Sequence, residues 1–295
     1  MLGNTILIYD SVSFFIPYME AKGVKCFNSF KSISKKMKIL RKMSFMLNIL
    51  PSQWYGEWKN NLNDADTVII FASNRWDFIK YICKNYPALR VIVWYWNPID
   101  KCFTPNVLKS KNLEYWSFDI KDCEKYQLKH NSTFYFDNIQ KYNHGNDVGV
   151  LFVGADKGRK TFLDKIEKQF DERNIKSAFH IVPDRGAVNL GNIKPIDYEE
   201  YLKRVSRCSA LLDFLQKGQN GQTLRPMEAI FFQKKLITND KTIVSLNFYD
   251  SRNIFIIGKD DINALREFIE SPYEKISEKI VQQYDFSSWL KRFEL

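Results

Sequence analysis

Short apolar runs alternate with amphipathic stretches along almost the whole chain. Runs rich in β-branched residues have the length of strands buried on both faces, and the stretches between them repeat their apolar residues at helical spacing. Such alternation is typical of a parallel α/β sheet. In the first half the pattern predicts a helix at 76–85 and strands at 5–9, 24–27, 67–71, 90–96 and 114–118.

A second series of strands and helices begins after a mixed polar segment at 132–146. It predicts strands at 148–153, 178–182, 210–214, 235–238 and 254–257, and helices at 160–173, 198–205, 224–232, 261–269 and 273–283. A last short helix has Ser287 as its expected N-cap. A chain of 295 residues is long for one core and comfortable for two. We therefore predict two α/β domains, at 1–145 and 146–283, with ligands at the carboxyl ends of their strands.

The formal net charge of +10 indicates an anionic partner. Nucleic acid, an anionic membrane surface and phosphorylated substrates all qualify. The five cysteines form no C-x-x-C pair, and with three histidines no zinc spacing appears, which suits thiols in a reducing cytoplasm. No apolar run approaches the ~18–20 residues of a membrane span, and the first strand leaves no room for a signal peptide. We therefore expect a soluble or peripheral protein.

Two glycine-bearing loops follow predicted strands in the second half. The first is Gly154-Ala155-Asp156-Lys157-Gly158-Arg159. Its glycines allow a sharp turn, and Lys157 and Arg159 place two cations at a helix start, where a diphosphate meets both side chains and helix dipole. The spacing matches neither a Walker A loop nor G-x-G-x-x-G. The alternative is an ordinary turn with solvated charges.

The second loop is glycine-rich and opens a helix that carries a lone carboxylate, Glu228. Backbone N–H groups at a helix start favour anions, so Thr223 and Arg225 are candidate phosphate contacts, and Glu228 is a candidate for ribose hydroxyls. Glu228 lies four residues from both Leu224 and Phe232 and so shares their face, although it could instead be a solvated capping residue. The loop itself consists of Gly218, Gln219, Asn220, Gly221 and Gln222.

The second half resembles the donor domain of GT-B-fold glycosyltransferases of the group 1 type, which make bacterial surface polysaccharides. Both loops and the strand Lys234-Lys235-Leu236-Ile237-Thr238 carry this resemblance, while the first half is similar in topology only. It implies two Rossmann-like domains that face each other across a cleft, with residues 284–295 as a C-terminal helix returning to the first domain. It also implies that Glu228 binds the donor ribose and that Lys157 and Arg159 contact the diphosphate. The loops themselves add Gly154, Thr223 and Arg225 as expected diphosphate contacts.

One departure leaves the stereochemistry of transfer open. Retaining members have a further glutamate upstream of the one in the helix, and Gly221 stands there instead. The sequence therefore predicts neither a retaining nor an inverting reaction.

The first domain is expected to hold the acceptor. Trp96 and Asn97 end an apolar strand and offer a stacking face and an amide to a sugar. Asn74 and Arg75 follow the third strand, and Asp10 follows the first strand as a candidate general base for an inverting transfer. The alternatives are a core strand that ends in a turn and, for Asp10, a helix N-cap.

A basic segment at 31–47 has its lysines on one helical face, with an apolar face opposite. The basic positions are Lys31, Lys35, Lys38 and Lys42, and the apolar positions are Ile33, Met37 and Leu40. The segment is either a surface helix docked on the core or a basic face laid against anionic lipid.

We therefore expect a metal-independent glycosyltransferase that needs no cofactor beyond its nucleoside-diphosphate sugar, with a UDP-sugar favoured. Asp64-Ala65-Asp66 precedes its strand, so no D-x-D pair stands at a strand end, and Lys157, Arg159 and the helix dipole are expected to stabilise the leaving diphosphate. The expected acceptor is a saccharide or lipid-linked saccharide of a bacterial capsule, lipopolysaccharide or exopolysaccharide, reached in the cytoplasm or at the inner face of the membrane.

Two other functions stay open. A sugar-nucleotide epimerase of similar design would act on the donor alone, but it usually needs a histidine and several carboxylates. A basic nucleic-acid-binding protein would fit the charge, but the lysines are dispersed and no recognition motif appears.

Overall fold

The computed structural model describes residues 4–10, 14–47, 51–142, 145, 147–184, 193–215 and 223–294. The chain divides into two compact units. The first unit contains Met1–Ser132 and Phe286–Leu295, and the second contains Thr133–Asp285. Each unit has its own parallel sheet with helices between the strands, so the α/β class predicted from the alternating pattern is confirmed.

The first unit contains six described strands: β1 (Thr5–Tyr9), β2 (Lys25–Asn28), β3 (Thr67–Phe71), β4 (Arg90–Tyr95), β5 (Leu113–Ser117) and β6 (Lys129–His130). They lie in the order β2-β1-β3-β4-β5-β6, and every neighbouring pair is parallel. The apolar pattern predicts the first five to within one residue. It misses β6, because the two residues of that strand are exposed and carry no apolar signal.

Helices connect these strands: α1 (Ile16–Ala21), α2 (Lys35–Met46), α3 (Asp77–Asn85) and α4 (Ile120–Tyr126), with 3-10 turns at Ser52–Trp54, Glu57–Asp64, Ile99–Lys101 and Pro105–Val107. Helix α3 repeats its apolar residues at helical spacing and buries Phe78, Ile79 and Ile82 in the core cluster of the sheet. All five residues of β3 are buried, as expected for a central strand covered on both faces.

The second unit contains five described strands: β7 (Val148–Ala155), β8 (Ser177–Val182), β9 (Cys208–Asp213), β10 (Lys235–Thr238) and β11 (Ile254–Ile256). Their order is β11-β10-β9-β7-β8, again parallel throughout. The helices are α5 (Lys160–Glu172), α6 (Tyr198–Arg207), α7 (Leu224–Phe232), α8 (Leu265–Glu270) and α9 (Glu278–Gln283), with 3-10 turns at Lys241–Ser245 and Ile262–Ala264.

The structure corrects the predicted helix at 273–283, which begins only at Glu278. The side chain of Asn253 donates to the carbonyl of Glu274 at 2.7 Å and accepts from the N–H of Glu274 at 2.9 Å. These two bonds hold the backbone at Glu274 in a non-helical conformation. A tertiary contact therefore overrides the local helical pattern here.

The final helix, α10 (Phe286–Lys291), packs on the first unit. The buried ring of Trp289 lies 5.4 Å from that of Trp94, and Asn131 Nδ2 donates to the Trp289 carbonyl at 3.1 Å. Arg90 Nη1 donates to the carbonyl of Phe293 at 2.6 Å. The end of the chain thus completes the core of the first unit, as the resemblance implies. Ser287 is wrong as an N-cap, since the helix already begins at Phe286.

Each sheet reverses its strand order once, and ligands of open parallel sheets bind at the carboxyl ends beside such a switch point. In the first unit the switch lies between β1 and β3, because β2 adds on one side and the later strands add on the other. In the second unit it lies between β7 and β9. The topology therefore predicts one ligand site in each unit, at the carboxyl ends of the strands beside the switch point.

Candidate functional sites

The turn after β7 stands at the switch point of the second unit. Lys157 and Gly158 have φ of +48° and +75°, so two successive residues are left-handed. Asp184 Oδ1 accepts from the Lys157 N–H at 3.0 Å, and Asp156 Oδ1 accepts from the Lys160 N–H at 2.7 Å where α5 begins. Glycine adopts this conformation without strain at position 158. The turn leaves the Lys157 side chain exposed at the start of α5, where an anion is favoured.

Arg159 folds back onto the carboxyl edge of the sheet. Its Nη2 donates to the Ala155 carbonyl at 3.0 Å, its Nη1 donates to the Phe214 carbonyl, and its guanidinium lies 5.2 Å from the Phe152 ring. Gly154 makes room for this arrangement, since a Cβ at that position would lie 3.3 Å from Arg159 Nη2. The buried Nε has no hydrogen-bond partner among the described residues. The Nε–H of this guanidinium is therefore unused within the described part of the chain.

Thr223 and Arg225 approach the same switch point from α7. Thr223 is the N-cap: its Oγ1 accepts from the Arg225 N–H at 3.2 Å and donates to Asp213 Oδ1 at 3.0 Å. Arg225 Nη2 donates to the carbonyl of Val153 at 2.7 Å. Burial lowers the pKa of Arg159, Asp213 raises it and Arg225 lowers it, which places these three charges within electrostatic reach of one another. Two arginines and an exposed lysine thus gather beyond β7 and β9.

Glu228 is only 3 % exposed. Its Oε2 accepts from the Tyr201 hydroxyl at 2.6 Å and its Oε1 accepts from the Tyr198 hydroxyl at 3.3 Å, while Arg225 Nε lies 3.9 Å from Oε2. Burial raises the pKa of Glu228 and outweighs Arg225 and the two hydroxyls, which lower it. Both carboxylate oxygens are engaged. The bond from Tyr198 is the longer of the two hydroxyl bonds.

Tyr198 and Tyr201 belong to this site, although no sequence motif predicts them there. The Tyr201 hydroxyl accepts from Arg225 Nη1 at 2.7 Å as well as donating to Glu228, and the Tyr198 hydroxyl also bonds to the hydroxyl of Tyr135. Their spacing on the amphipathic helix α6 indicates a core-facing pair. Nothing in that spacing says that their hydroxyls meet a carboxylate of α7.

The whole predicted donor loop lies outside the described residues, namely Gly218, Gln219, Asn220, Gly221 and Gln222.

A pocket of about 280 Å³ lies at the switch point of the first unit. Four of the five predicted acceptor-side residues line it: Asp10, Asn74, Trp96 and Asn97. The centre of the Trp96 ring lies 5.5 Å from the ring centres of both Phe15 and Phe71, and the three rings form an aromatic wall. An aromatic wall beside a carboxylate and two amides has the chemistry that binds a sugar ring, which offers an apolar face and several hydroxyls.

The fifth, Arg75, is not among the residues that line this pocket. Its Nη2 pairs with Asp77 Oδ2 at 3.2 Å, and its guanidinium stacks 3.8 Å from the ring of Phe45 in α2. The guanidinium of Arg75 thus lies between α2 and α3, and it does not line the pocket to which Asn74 belongs.

A larger cavity of about 520 Å³ opens at the amino ends of the second sheet, beside Val148, Ser209 and Lys235. Ligands of open parallel sheets bind at the opposite ends, and no predicted site residue lines this cavity. Its size alone assigns it no function.

No protein-family model matches the sequence, and no curated protein matches it. Solved structures do match. Sucrose-phosphate synthase from Thermosynechococcus elongatus is similar with a TM-score of 0.57 and 9% identity, over 99% of this chain and 97% of that one. The N-terminal domain of trehalose-6-phosphate phosphatase from Candida albicans gives a TM-score of 0.56 at 10% identity, over 99% and 96%. Anabaena HepE, solved with UDP and glucose, gives 0.50 at 8% identity, over 98% of both chains.

The chain has a GT-B-type fold. The match spans nearly the full length of each neighbour, so it includes the first half, for which the sequence offers topology alone. Identities of 8 to 10% establish the fold and nothing finer.

No helix within the described parts of the chain combines the length and the apolar character needed to cross a membrane. Nor do the described residues bring three or more His, Cys, Asp or Glu side chains together as a metal site.

Proposed function

We propose that this protein is a glycosyltransferase that moves a sugar from a nucleoside-diphosphate sugar, with a UDP-sugar favoured, to a saccharide or lipid-linked saccharide. The observation that carries the proposal is the gathering of Lys157, Arg159 and Arg225 at the switch point of a GT-B-type fold. Anion-binding groups at this end of the sheet suit the diphosphate of a nucleotide sugar. HepE, a neighbour in fold, was solved with UDP and glucose.

The donor diphosphate would lie at the starts of α5 and α7. Lys157 is exposed there, and the buried Nε–H of Arg159 has no hydrogen-bond partner among the described residues. As the bond to the sugar breaks, negative charge grows on the leaving diphosphate, and cations and helix dipoles held in place stabilise that charge without reorganising. Transfer would then need no metal ion and no cofactor besides the nucleotide sugar. Glu228 would contact the ribose after Tyr198 moves aside.

The acceptor would lie in the pocket of the first unit. Trp96 would stack on the apolar face of a sugar, while Asn74 and Asn97 would bind its hydroxyls. Asp10 would take the proton of the attacking hydroxyl as general base. We propose a growing glycan of a bacterial capsule, lipopolysaccharide or exopolysaccharide as this acceptor, and a place in the cytoplasm or at the inner face of the membrane.

Calorimetry with UDP, and a thermal-shift screen of UDP-, GDP-, CMP- and dTDP-sugars, test donor binding. We expect Lys157→Gln to weaken the preferred nucleotide by about tenfold, the value of one charge-assisted contact. Lys165→Gln is the matched control, because it removes the same charge from an exposed position of α5 and should leave the affinity unchanged. If no nucleoside diphosphate binds, the proposal is wrong.

Asp10→Asn separates the transfer step from donor binding. We expect the rate of transfer to fall by roughly 10²- to 10⁴-fold while UDP affinity is unchanged, because the base acts on the acceptor alone. Product analysis without acceptor distinguishes an epimerase, which would convert the sugar of the donor by itself. Normal transfer by the variant would remove Asp10 from the reaction.

A further inference from the structure

Helix α2 is exposed in a way that no other helix of this length shares within the described chain. None of its twelve residues is buried. Half of the large hydrophobic side chains that are exposed among the described residues lie between Met37 and Leu47. Met37 and Leu40 therefore do not dock the helix on the core, since these side chains are 41% and 51% exposed.

The most exposed side chains of α2 form one stripe. Ile39, Met43 and Met46 are spaced by four and three residues, so they share a face, and they are 64%, 54% and 76% exposed. The opposite side of the helix holds it to the protein: the ring of Phe45 lies 5.1 Å from that of Phe30, and Arg41 Nη1 donates to the Lys31 carbonyl at 2.9 Å. The helix is thus anchored by one face and directs an apolar stripe outward.

Cations flank this stripe. Lys35, Lys36, Lys38 and Lys42 are all exposed, and within the described chain no carboxylate forms a salt bridge with them. Residues 31–47 contain no acidic side chain. An apolar stripe bordered by exposed lysines matches an anionic lipid surface, where headgroups meet the ammonium groups and apolar side chains enter the acyl boundary.

We infer that α2 is a membrane-docking helix that lays Ile39, Met43 and Met46 into an anionic bilayer, with its lysines on the headgroups. The inference deepens the peripheral location within the proposed function, and it names the element responsible. Phe45 of the helix stacks on Arg75, the residue that follows the pocket residue Asn74, although Arg75 itself does not line the pocket. Burial lowers the pKa of Arg41 and Asp10 raises it, so this residue of α2 lies within electrostatic reach of the pocket carboxylate. Docking through α2 would therefore bring the pocket of the first unit close to lipid headgroups.

Vesicle flotation of the full chain, without nucleotide or acceptor, tests the inference. Neutral phosphatidylcholine vesicles are compared with vesicles in which roughly one-third of the lipid is phosphatidylglycerol. We expect binding to the anionic vesicles only, and a partition coefficient at least roughly 100-fold lower after Lys35, Lys36, Lys38 and Lys42 are all changed to Gln. We expect a loss of roughly tenfold or more after Ile39, Met43 and Met46 are changed to Ser.

Matched variants control for charge and for apolar area. Changing Lys80, Lys84, Lys109 and Lys111 to Gln removes the same charge from exposed positions of the first unit and should leave most of the binding intact. Changing Val107 and Ile120 to Ser removes exposed apolar side chains elsewhere in that unit and should have no effect.

Three results would overturn the inference: no binding to anionic vesicles, equal losses in the α2 and control lysine variants, or a dimer in light scattering that the Ile39/Met43/Met46 variant abolishes without any change in vesicle binding. Calorimetry with UDP on the same variants keeps the two proposals apart. A protein that floats with vesicles but binds no nucleotide retains the docking helix and loses the proposed function, and the reverse result does the opposite.

Discussion

At the scale of single residues, the second unit contains a buried cluster of polar side chains around Glu228. A carboxylate that is 3 % exposed is costly unless its oxygens are hydrogen-bonded, and here two hydroxyls and an arginine meet that need. Tyr201 is central, because its hydroxyl accepts from Arg225 at 2.7 Å and donates to Glu228 at 2.6 Å. It therefore fixes both a proposed phosphate contact and the proposed ribose contact, and we regard it as a positioning residue.

Tyr201→Phe should lower the free energy of unfolding by about 1–3 kcal/mol, because Glu228 and Arg225 each lose a partner while staying buried. Urea unfolding at pH 7 measures this change. Tyr273→Phe is the matched control: that hydroxyl is buried and has no hydrogen-bond partner among the described residues, so its removal should be neutral or stabilising. Equal effects of the two substitutions would contradict the role given to Tyr201.

At the scale of elements, the first unit is closed by the end of the chain. Arg90 in β4 links the sheet to the end of the chain. Its Nε donates to Glu114 Oε1 in β5 at 2.7 Å, and its Nη1 donates to the carbonyl of Phe293. Burial alone would raise the pKa of Glu114, but hydrogen bonds from Arg90, Lys129 and Trp116 hold it at about 2. The pKa is thus lowered on folding from an ordinary value of 4.5. This ion pair therefore contributes stability at neutral pH.

Glu114→Gln should reduce the stability of the first unit by about 1–2 kcal/mol at pH 7. A lowered carboxyl pKa contributes fully above its unfolded value and is lost as the pH falls through its folded value. The difference between wild type and variant should therefore shrink between about pH 5 and pH 2. Urea unfolding across this range measures it, and Glu278→Gln, which removes an exposed pair with Lys275, should show little effect at any pH. A difference that does not change with pH would exclude the ion pair as its cause.

At the scale of the whole molecule, two parallel sheets each place a switch point beside the residues proposed for function. The proposed donor groups belong to the second unit, and Asp10 with its pocket belongs to the first. A ligand that binds one unit stabilises that unit by mass action. If the donor binds the second unit and the acceptor binds the first, each ligand should therefore stabilise its own unit.

Hydrogen exchange measured with and without UDP should show increased protection in the second unit, at the turn after β7 and at the start of α7. At about 100 times the dissociation constant the stabilisation should be near 2.7 kcal/mol. Strands β1, β3 and β4 should keep their exchange rates, since their pocket is assigned to the acceptor. Protection at Asp10 and Asn74 in place of the turn at Lys157 would reverse the assignment of the two sites.

Much of the fold could be predicted because apolar alternation is a local signal. Strand β3 and helix α7 have the predicted bounds, since each buries a continuous run of its own side chains. The pocket residues Asp10 and Asn74 could be placed together because the carboxyl ends of parallel strands meet at one edge. Strand β6 could not be predicted, because only its pairing with β5 defines it. The late start of α9 could not be predicted either, because it depends on the hydrogen bond from the side chain of Asn253 to Glu274.

The sequence by itself determined the α/β class, the two series of strands and the groups that follow each strand, because hydrophobic period and chain order are written into it. Only the tertiary structure decided which of these groups are buried and which partners they have. Glu228 is buried and hydrogen-bonded to Tyr198 and Tyr201, and Arg75 stacks on Phe45. The apolar stripe of α2 is exposed. The physical reason is that burial and hydrogen-bond partners depend on neighbours distant in the chain, whereas periodicity depends on neighbours close by.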